Sequence, residues 1–194
     1  QTCLALYLGT HGMAHGLEFV LEAAEKLRDK PIRFLFMGDG ARKADLIQAA
    51  REANLDNVEF MDSQPKEGVV KAYCGADVCL VPLRKVELFT DVLPSKLFEI
   101  MGMRRPIVLS VDGDARRVVE EGDAGIFVEP ENSQALAETL LRLQSDPALR
   151  ERLGANGRRF VETNYNRDKL ADSYLEILHR LGAKTPSEHL AERT

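Results

Sequence analysis

The chain has 194 residues, of which 44% are hydrophobic and 29% are charged, and its formal net charge is −5. This composition is typical of one folded globular domain and excludes an intrinsically disordered chain, which would have fewer apolar residues and a larger net charge. The acidic balance argues against a nucleic-acid partner, because the chain has no general attraction for a phosphate backbone.

Three features of the sequence bear on the cellular compartment of the protein and on its completeness. No apolar run approaches the ~20 residues that a transmembrane helix requires. Gln1 is not an initiator methionine and leads directly into a strand pattern, so we interpret the sequence as a fragment of a longer protein. Three cysteines without a CxxC spacing favour a reducing cytoplasm over a disulfide framework or a zinc site.

Apolar runs of strand length alternate with stretches of helical periodicity along most of the chain. This alternation predicts βαβ units and an open, doubly wound, Rossmann-like parallel sheet of the α/β class. Six strands are predicted, over residues 3–8, 32–37, 58–61, 78–83, 106–110 and 125–128. Six helices are predicted between and after them, over residues 16–28, 41–53, 66–74, 94–101, 115–121 and 133–144.

Two further helices are predicted towards the C-terminus. One should begin at Asp146-Pro147, because Asp caps a helix and Pro suits its first position, and should run toward Val161. The last helix has an apolar stripe that should face a packed surface, formed by Leu170, Tyr174, Ile177, Leu178 and Leu181. One domain is therefore expected over residues 1–182, followed by a flexible tail over 183–194.

Candidate binding residues lie just after the strands, because ligands of an open α/β sheet bind beyond the carboxyl ends of its strands. The first such loop, residues 9–16, contains Gly9, Gly12, Gly16, His11 and His15. Its glycines could expose backbone amides to a phosphate, although a plain turn between strand and helix would also explain them. The histidines lack a third partner with the spacing of a metal site.

A second loop, Met37-Gly38-Asp39-Gly40, would also let a ligand approach the backbone, but a structural turn is its favoured interpretation. Asp112 and Asp114, after the fifth strand, could hold Mg²⁺ or supply the nucleophile and acid of a phosphatase. That phosphatase motif needs a Thr two residues after the second Asp, where Arg116 stands. A turn with a helix cap is therefore the favoured interpretation of this pair.

The segment from Asp91 to Glu99 is the most informative. Pro94 favours a helix start, which would point free amides near Ser95 toward the strand ends. A diphosphate would suit these amides, with Lys96 as a mobile positive charge and the two carboxylates addressing different parts of one ligand. An N-capping acid, a solvated lysine and a surface glutamate explain the same residues equally well.

Taken in order, several segments resemble the C-terminal, nucleotide-sugar-binding half of GT-B-fold retaining glycosyltransferases of the large family 4 type. The resemblance covers nearly the whole chain, and PSKLFE and GMAHGLE look most like transferases of bacterial surface polysaccharides, including N-acetyl-fucosamine-type transferases. The matching segments are LYLGTHGMAHGLEFVLEAAEKL, FLFMGDGARKADL, NVEFMDSQPKEGVVKAYCGADVCLVPL, PSKLFEIMGMRRPIVLSV, AGIFVEPENSQALAETL and DPALRERLGANGRRFV.

The resemblance implies roles for individual residues. Glu99, the second acid of the family's acid-x7-acid motif, would bind the donor ribose, and Asp91, where the family usually has Glu, would lie near the donor sugar. The family commonly has an Arg and a Lys where this chain has Thr10 and His15. The diphosphate charge would then be met by Lys96, the helix start at Ser95 and the amides of Gly9–Gly12, with His15 contributing when protonated.

These considerations give two sets of candidates. Asp91 and Lys96 are the catalytic candidates, and the donor-binding candidates are Gly9, Thr10, Gly12, His15, Gly38, Ser95 and Glu99. The segment Asp62–Pro65 corresponds to the region that lines the base pocket in the family. No metal ligand is expected, because helix dipole and lysine can stabilise a leaving diphosphate without a metal.

The resemblance implies the donor-binding half of a retaining glycosyltransferase that uses a UDP-sugar, needs no metal cofactor and transfers to a glycan or lipid-linked acceptor. The resemblance implies that the acceptor-binding domain lies outside this sequence, so we expect the isolated chain to bind nucleotide without transferring sugar. The full enzyme is expected in the cytoplasm or at the inner face of the membrane. Two alternatives stay open: a non-catalytic nucleotide-sugar-binding subunit that needs a separate partner, and a metal-dependent phosphatase built on Asp112 and Asp114.

Overall fold

The computed structural model describes residues 2–181, and its described strands form one parallel sheet. The strands are β1 (Cys3–Leu8), β2 (Ile32–Met37), β3 (Val58–Met61), β4 (Val78–Pro82), β5 (Ile107–Ser110) and β6 (Gly125–Phe127). Their order is β3-β2-β1-β4-β5-β6, so the direction in which strands are added reverses between β1 and β4. The predicted doubly wound, six-stranded sheet is confirmed, and its switch point lies between β1 and β4.

Helices connect the strands and cover both faces of the sheet. They are α1 (Glu18–Lys26), α2 (Lys43–Glu52), α3 (Lys66–Gly75), α4 (Lys96–Gly102), α5 (Asp114–Glu121), α6 (Ser133–Ser145), α7 (Pro147–Asn164) and α8 (Arg167–Arg180). The predicted helices are all present, with bounds that differ by a few residues. The predicted tail, residues 183–194, lies outside the described part of the chain.

Two apolar clusters form the core, one on each face of the sheet. Side chains alternate between the faces along a strand, so Ala5 and Tyr7 of β1 join one cluster while Leu6 joins the other. Helices α1, α2 and α6 supply the first cluster, and α3, α4 and α5 supply the second. Burial on both faces explains why the central strands read as continuous apolar runs.

Local chemistry sets where two of the helices begin. Gly16, with φ of +54°, ends a short 3₁₀ turn over Met13–His15, so α1 begins at Glu18 rather than at the predicted Gly16. Asp146 accepts a hydrogen bond from the amide of Leu149 at 2.9 Å, and Pro147 occupies the first turn of α7. This is the helix start that the Asp-Pro pair predicts.

The last helix, α8, carries the predicted apolar stripe. The described residues of the chain leave this stripe mostly uncovered, because Leu170, Tyr174, Ile177 and Leu181 are all exposed. The resemblance implies that this helix packs on the N-terminal domain of the family, which is not among the described residues, so the expectation that the stripe faces a packed surface stays a prediction. None of the described helices is long and apolar enough to cross a bilayer.

The burial of β2 gives a direct test of the fold. Phe34 is almost completely buried in the core, whereas its neighbour Arg33 is exposed. Phe34→Ala should lower the free energy of unfolding by about 3 to 5 kcal/mol, because it removes buried area and leaves a cavity. Arg33→Ala, the matched control, should change it by less than about 0.5 kcal/mol. Urea denaturation measures both, and equal effects would contradict the assignment of faces.

Candidate functional site

The loops that follow β1 and β2 are hydrogen-bonded to each other beyond the ends of their strands. The amide of Gly9 donates to the carbonyl of Met37 at 3.0 Å, and the amide of His11 donates to the carbonyl of Asp39 at 2.8 Å. The carbonyl of His11 in turn accepts from the amide of Arg42 at 2.9 Å. The two predicted glycine loops therefore form one unit at the carboxyl edge of the sheet, next to the switch point.

This close approach explains the glycines. Gly9 and Gly38 have φ of +147° and +146°, and a Cβ on Gly38 would lie 1.9 Å from the carbonyl oxygen of Gly9. A Cβ on Gly9 would lie 2.6 Å from the ammonium nitrogen of Lys96. The glycines are thus required for the packing of the loops, and the same packing brings backbone to the mouth of the site.

A cleft of about 230 Å³ opens beside these loops. Its lining combines both loops with the segment after β3, and consists of Leu8, Gly9, Thr10, Met37, Gly38, Asp39, Ser63, Gln64 and Val69. The structure therefore brings the predicted donor-binding residues Gly9, Thr10 and Gly38 together with part of the predicted base-pocket segment 62–65. Gly12 lies further along the first loop, where a Cβ would be 3.5 Å from Nδ1 of His15.

Lys96, the first residue of α4, extends toward the end of β1. Its ammonium donates to the carbonyl of Leu8 at 3.1 Å and lies 4.9 Å from the centre of the Tyr7 ring. Burial lowers the pKa of Lys96, while the charge of Glu99 acts in the opposite direction. The expectation of a mobile lysine is wrong, because a carbonyl and an aromatic face hold the ammonium at the switch point.

The other residues of the predicted 91–99 segment are more exposed. Ser95 precedes α4 but its side chain makes no capping hydrogen bond, and Asp91 is exposed in the loop before it. Glu99 is also exposed, and its carboxylate accepts a hydrogen bond from the hydroxyl of Tyr73 at 3.4 Å. Tyr73 is a buried residue of α3 that sequence reasoning missed, and burial raises its pKa.

The two loop histidines have different surroundings. His11 is completely buried among the rings of Tyr7, Phe36 and Phe60, and neither of its ring nitrogens has a hydrogen-bond partner. His15 is half-buried, and burial together with the charge of Lys96 lowers its pKa. Burial also lowers the pKa of His11. Both rings are thus favoured in the neutral form, so His15 offers a phosphate a positive charge only if the ligand itself promotes protonation.

The aspartates after β5 are paired with arginines of α5. Asp112 lies 3.6 Å from a guanidinium nitrogen of Arg116, and Asp114 lies 3.0 Å from one of Arg117. A carboxylate oxygen of Asp112 also accepts from the amide of Gly113 at 2.8 Å, as in a turn. Within residues 2–181, no group of three His, Cys, Asp or Glu side chains is placed to hold a metal ion. These contacts fit the turn interpretation.

One protein family matches most of the chain. The family model described as "Glycosyl transferases group 1" matches residues 2–160. The chain belongs to this glycosyltransferase family. Among its curated relatives is the alpha-D-kanosaminyltransferase of Streptomyces kanamyceticus, which is 30% identical over 181 residues, or 90% of this chain and 46% of that protein.

A second relative is the putative colanic acid biosynthesis glycosyl transferase WcaI of Escherichia coli K12. It is 32% identical over 136 residues, which cover 69% of this chain and 33% of that protein. The chain therefore spans less than half the length of either relative. WcaI is named for colanic acid biosynthesis.

Solved structures agree on the fold. A sucrose-phosphate synthase from Thermosynechococcus elongatus superposes with a TM-score of 0.82 and 25% identity, covering 93% of this chain and 46% of that one. The C-terminal domain of a group 1 glycosyltransferase from Francisella tularensis superposes with a TM-score of 0.71 and 22% identity. That match covers 85% of this chain and 87% of the domain.

The glycine at the end of β2 can be tested by substitution. Gly38→Ala should lower the free energy of unfolding by about 2 kcal/mol or more, because Ala would adopt an unfavourable φ and its Cβ would collide with the backbone of Gly9. Gly75→Ala at the end of α3 is the matched control, since its Cβ would meet nothing within 4 Å. It should leave stability unchanged or slightly increased. Equal losses in urea denaturation would contradict the packing of the loops.

The buried histidine predicts a pH dependence of stability. The folded chain disfavours protonation of His11, whereas the unfolded chain binds the proton near the ordinary pKa of 6.5. The free energy of unfolding should therefore fall as pH decreases from 7.5 to 5.5, with at most about 1.4 kcal/mol of the loss due to His11. His11→Leu should show a smaller loss, with His15 still contributing. Identical pH slopes for wild type and variant would contradict the assignment.

Proposed function

We propose that this chain is the donor-binding part of a retaining glycosyltransferase that takes a nucleotide-sugar. The observation that carries the proposal is the cleft beside Gly9 and Gly38, with the ammonium of Lys96 held at the adjacent end of β1. Open α/β sheets bind ligands at such a switch point, and a lysine held near backbone amides suits a diphosphate.

UDP is the proposed nucleotide. HepE of Anabaena, whose fold superposes with a TM-score of 0.82 at 16% identity, was solved in complex with UDP. At that identity the likeness establishes the fold alone, so the choice of UDP over GDP or ADP rests on analogy. The segment 62–65, which lines the cleft through Ser63 and Gln64, is the proposed contact of the base.

The proposed chemistry divides the donor among three groups of this chain. The amides of Gly9 and His11 already donate to backbone carbonyls of the second loop. The amides of Thr10 and Gly12, together with the ammonium of Lys96, would therefore stabilise the charge that develops on the leaving diphosphate as the sugar becomes oxocarbenium-like. Glu99, held by the hydroxyl of Tyr73, would accept hydrogen bonds from the ribose. Asp91 would lie near the donor sugar. We propose that donor binding needs no metal, because lysine and backbone amides already meet the diphosphate charge.

The acceptor would be supplied by another part of the enzyme. Because the chain spans less than half the length of the relatives described above, we propose that it binds the donor but does not transfer sugar by itself. A glycan or a lipid-linked acceptor in polysaccharide synthesis, at the cytoplasmic face of a membrane, would complete the reaction. Measurable transfer by the isolated chain would contradict this part of the proposal.

Calorimetric titration tests the donor site. UDP should bind more tightly than GDP or ADP, with the same affinity in the presence and absence of Mg²⁺. Glu99→Ala should weaken UDP binding about tenfold, which is the effect expected on losing hydrogen bonds to a charged group. Glu138→Ala, an exposed glutamate of α6 on the other face of the sheet, is the matched control and should bind like wild type.

The outcomes of this titration separate the parts of the proposal. Binding that requires Mg²⁺ would contradict the metal-free site but not the donor-binding function. Equal binding of UDP by wild type and Glu99→Ala would remove Glu99 from the site. The absence of binding by all three nucleotides would contradict the proposed function itself.

A further inference from the structure

Lys43, the first residue of α2, joins the ends of two strands. Its side chain is only 12% exposed, and its ammonium donates to the carbonyl of Gly38 at 2.8 Å and to a carboxylate oxygen of Asp62 at 2.5 Å. The carbonyl of Met61 lies at 3.4 Å. These three oxygens match the three N–H donors of the ammonium group, so the hydrogen-bonding capacity of Lys43 is used up in joining the two segments.

The two segments that Lys43 joins are both walls of the cleft. Gly38 and Asp39 line it from the end of β2, and Ser63 and Gln64 line it from the end of β3. Lys43 itself is not part of the lining. It therefore acts on the cleft through the two segments and is a positioning residue, without contact to a ligand.

The segment after β3 depends on this lysine more than the loop after β2 does. The loop after β1 already holds the loop after β2, because its amides donate to the carbonyls of Met37 and Asp39. The amide of Gly38 donates to the carbonyl of Met61 at 3.0 Å, but within the described part of the chain no backbone–backbone hydrogen bond holds residues 62–64. The Asp62 side chain is 92% exposed, and Gln64 turns back to donate to the carbonyl of Asp62 at 3.2 Å. The hydrogen bond from Lys43 holds the pKa of Asp62 below its usual range. The carboxylate thus stays charged and paired at neutral pH.

The position of this link along the sheet indicates which part of a nucleotide it affects. Lys96 marks the diphosphate end at β1 and β4, whereas β3 lies two strands away from β1. Adjacent strands are ~4.8 Å apart, so the segment after β3 is about 10 Å from the end of β1. A nucleotide that places its diphosphate beside Lys96 and runs along the cleft brings its base to this segment.

We propose that Lys43 sets the width of the base end of the cleft and thereby determines selectivity among nucleobases. The proposal rests on the proposed function, because it requires that this cleft binds the nucleotide. By holding Asp62 and the residues after it against Gly38, the lysine keeps the backbone and side chains of Ser63 and Gln64 at one distance from the base. Loss of the link lets this segment move while the diphosphate end stays unchanged.

Titrations that separate base from diphosphate test this role. UDP, GDP and ADP are titrated into wild type, Lys43→Met and Lys71→Met, and inorganic diphosphate is measured as a competitor of UDP. Lys71 is an exposed lysine of α3, so its substitution controls for the loss of one positive charge. Thermal unfolding of each variant reports stability independently of ligand binding.

In Lys43→Met, affinity for UDP should fall about tenfold, and its preference over GDP and ADP should largely disappear. The inhibition constant of inorganic diphosphate should stay within about twofold of wild type, because Lys96 and the first loop are intact. Lys71→Met should match wild type for every ligand. A general structural role would instead weaken diphosphate and all three nucleotides by the same factor.

Three results would overturn the inference. The first is unchanged selectivity in folded Lys43→Met, and the second is a parallel loss for UDP and diphosphate. If Lys43→Met does not fold, Asp62→Asn takes its place, because Asp62 is exposed and its substitution should leave the fold intact. The third overturning result is an unchanged preference for UDP in folded Asp62→Asn. If wild type binds no nucleotide, the proposed function and this inference both fail. If wild type binds UDP and the variant keeps the same nucleotide selectivity, only this inference fails.

Discussion

The close packing of two glycine loops at the carboxyl edge of the sheet is the constraint on which the site depends. Only a glycine at position 38 lets the chain pass within van der Waals distance of the carbonyl of Gly9, and this contact extends the pairing of β1 and β2 beyond the strands themselves. Because the first loop is held in this way, its amides and the cleft beside them have a defined position before any ligand arrives. The arrangement is thus preorganised by backbone contacts.

A partly buried lysine and two loop histidines lie at this edge of the sheet. Lys96 is the cation at the end of β1, and burial weakens its own proton affinity while Tyr7 and the carbonyl of Leu8 hold its ammonium in place. The nearby histidines favour their neutral forms. A bound polyanion would favour the charged form of Lys96, because it compensates for the desolvation of the ammonium, and it would also favour protonation of His15.

Much of this molecule follows from its sequence. Alternating apolar runs predict the strands and the doubly wound sheet, and the glycines, Pro94 and Asp146-Pro147 predict turns and helix starts near their observed places. The order and spacing of several segments, among them PSKLFE, which ends at Glu99, resemble the glycosyltransferase family to which the chain belongs. The assignments of individual donor-binding residues stay predictions, because resemblance gives positions but not contacts.

The contacts that the sequence does not predict join residues that are far apart in the chain. Lys43 meets Asp62 across 19 positions, and Tyr73 meets Glu99 across 26, so no local pattern reveals either pair. Lys96 and Tyr7 are also far apart in the chain, so the sequence predicts a mobile lysine although the Tyr7 ring holds its ammonium in place. The exposed stripe of α8 shows the converse limit, since a helical pattern predicts an apolar face but says nothing about its partner.

Hydrogen–deuterium exchange of the chain with and without UDP tests the central claim most directly, because it locates a ligand without presuming any one residue. The account predicts slower exchange at the amides of residues 9–12, 38–40 and 62–64 and around the start of α4, with no change in β6 or α5. Protection confined to residues 112–117, beside Asp112 and Asp114, would contradict it and place the ligand beyond β5, away from the loops after β1, β2 and β3.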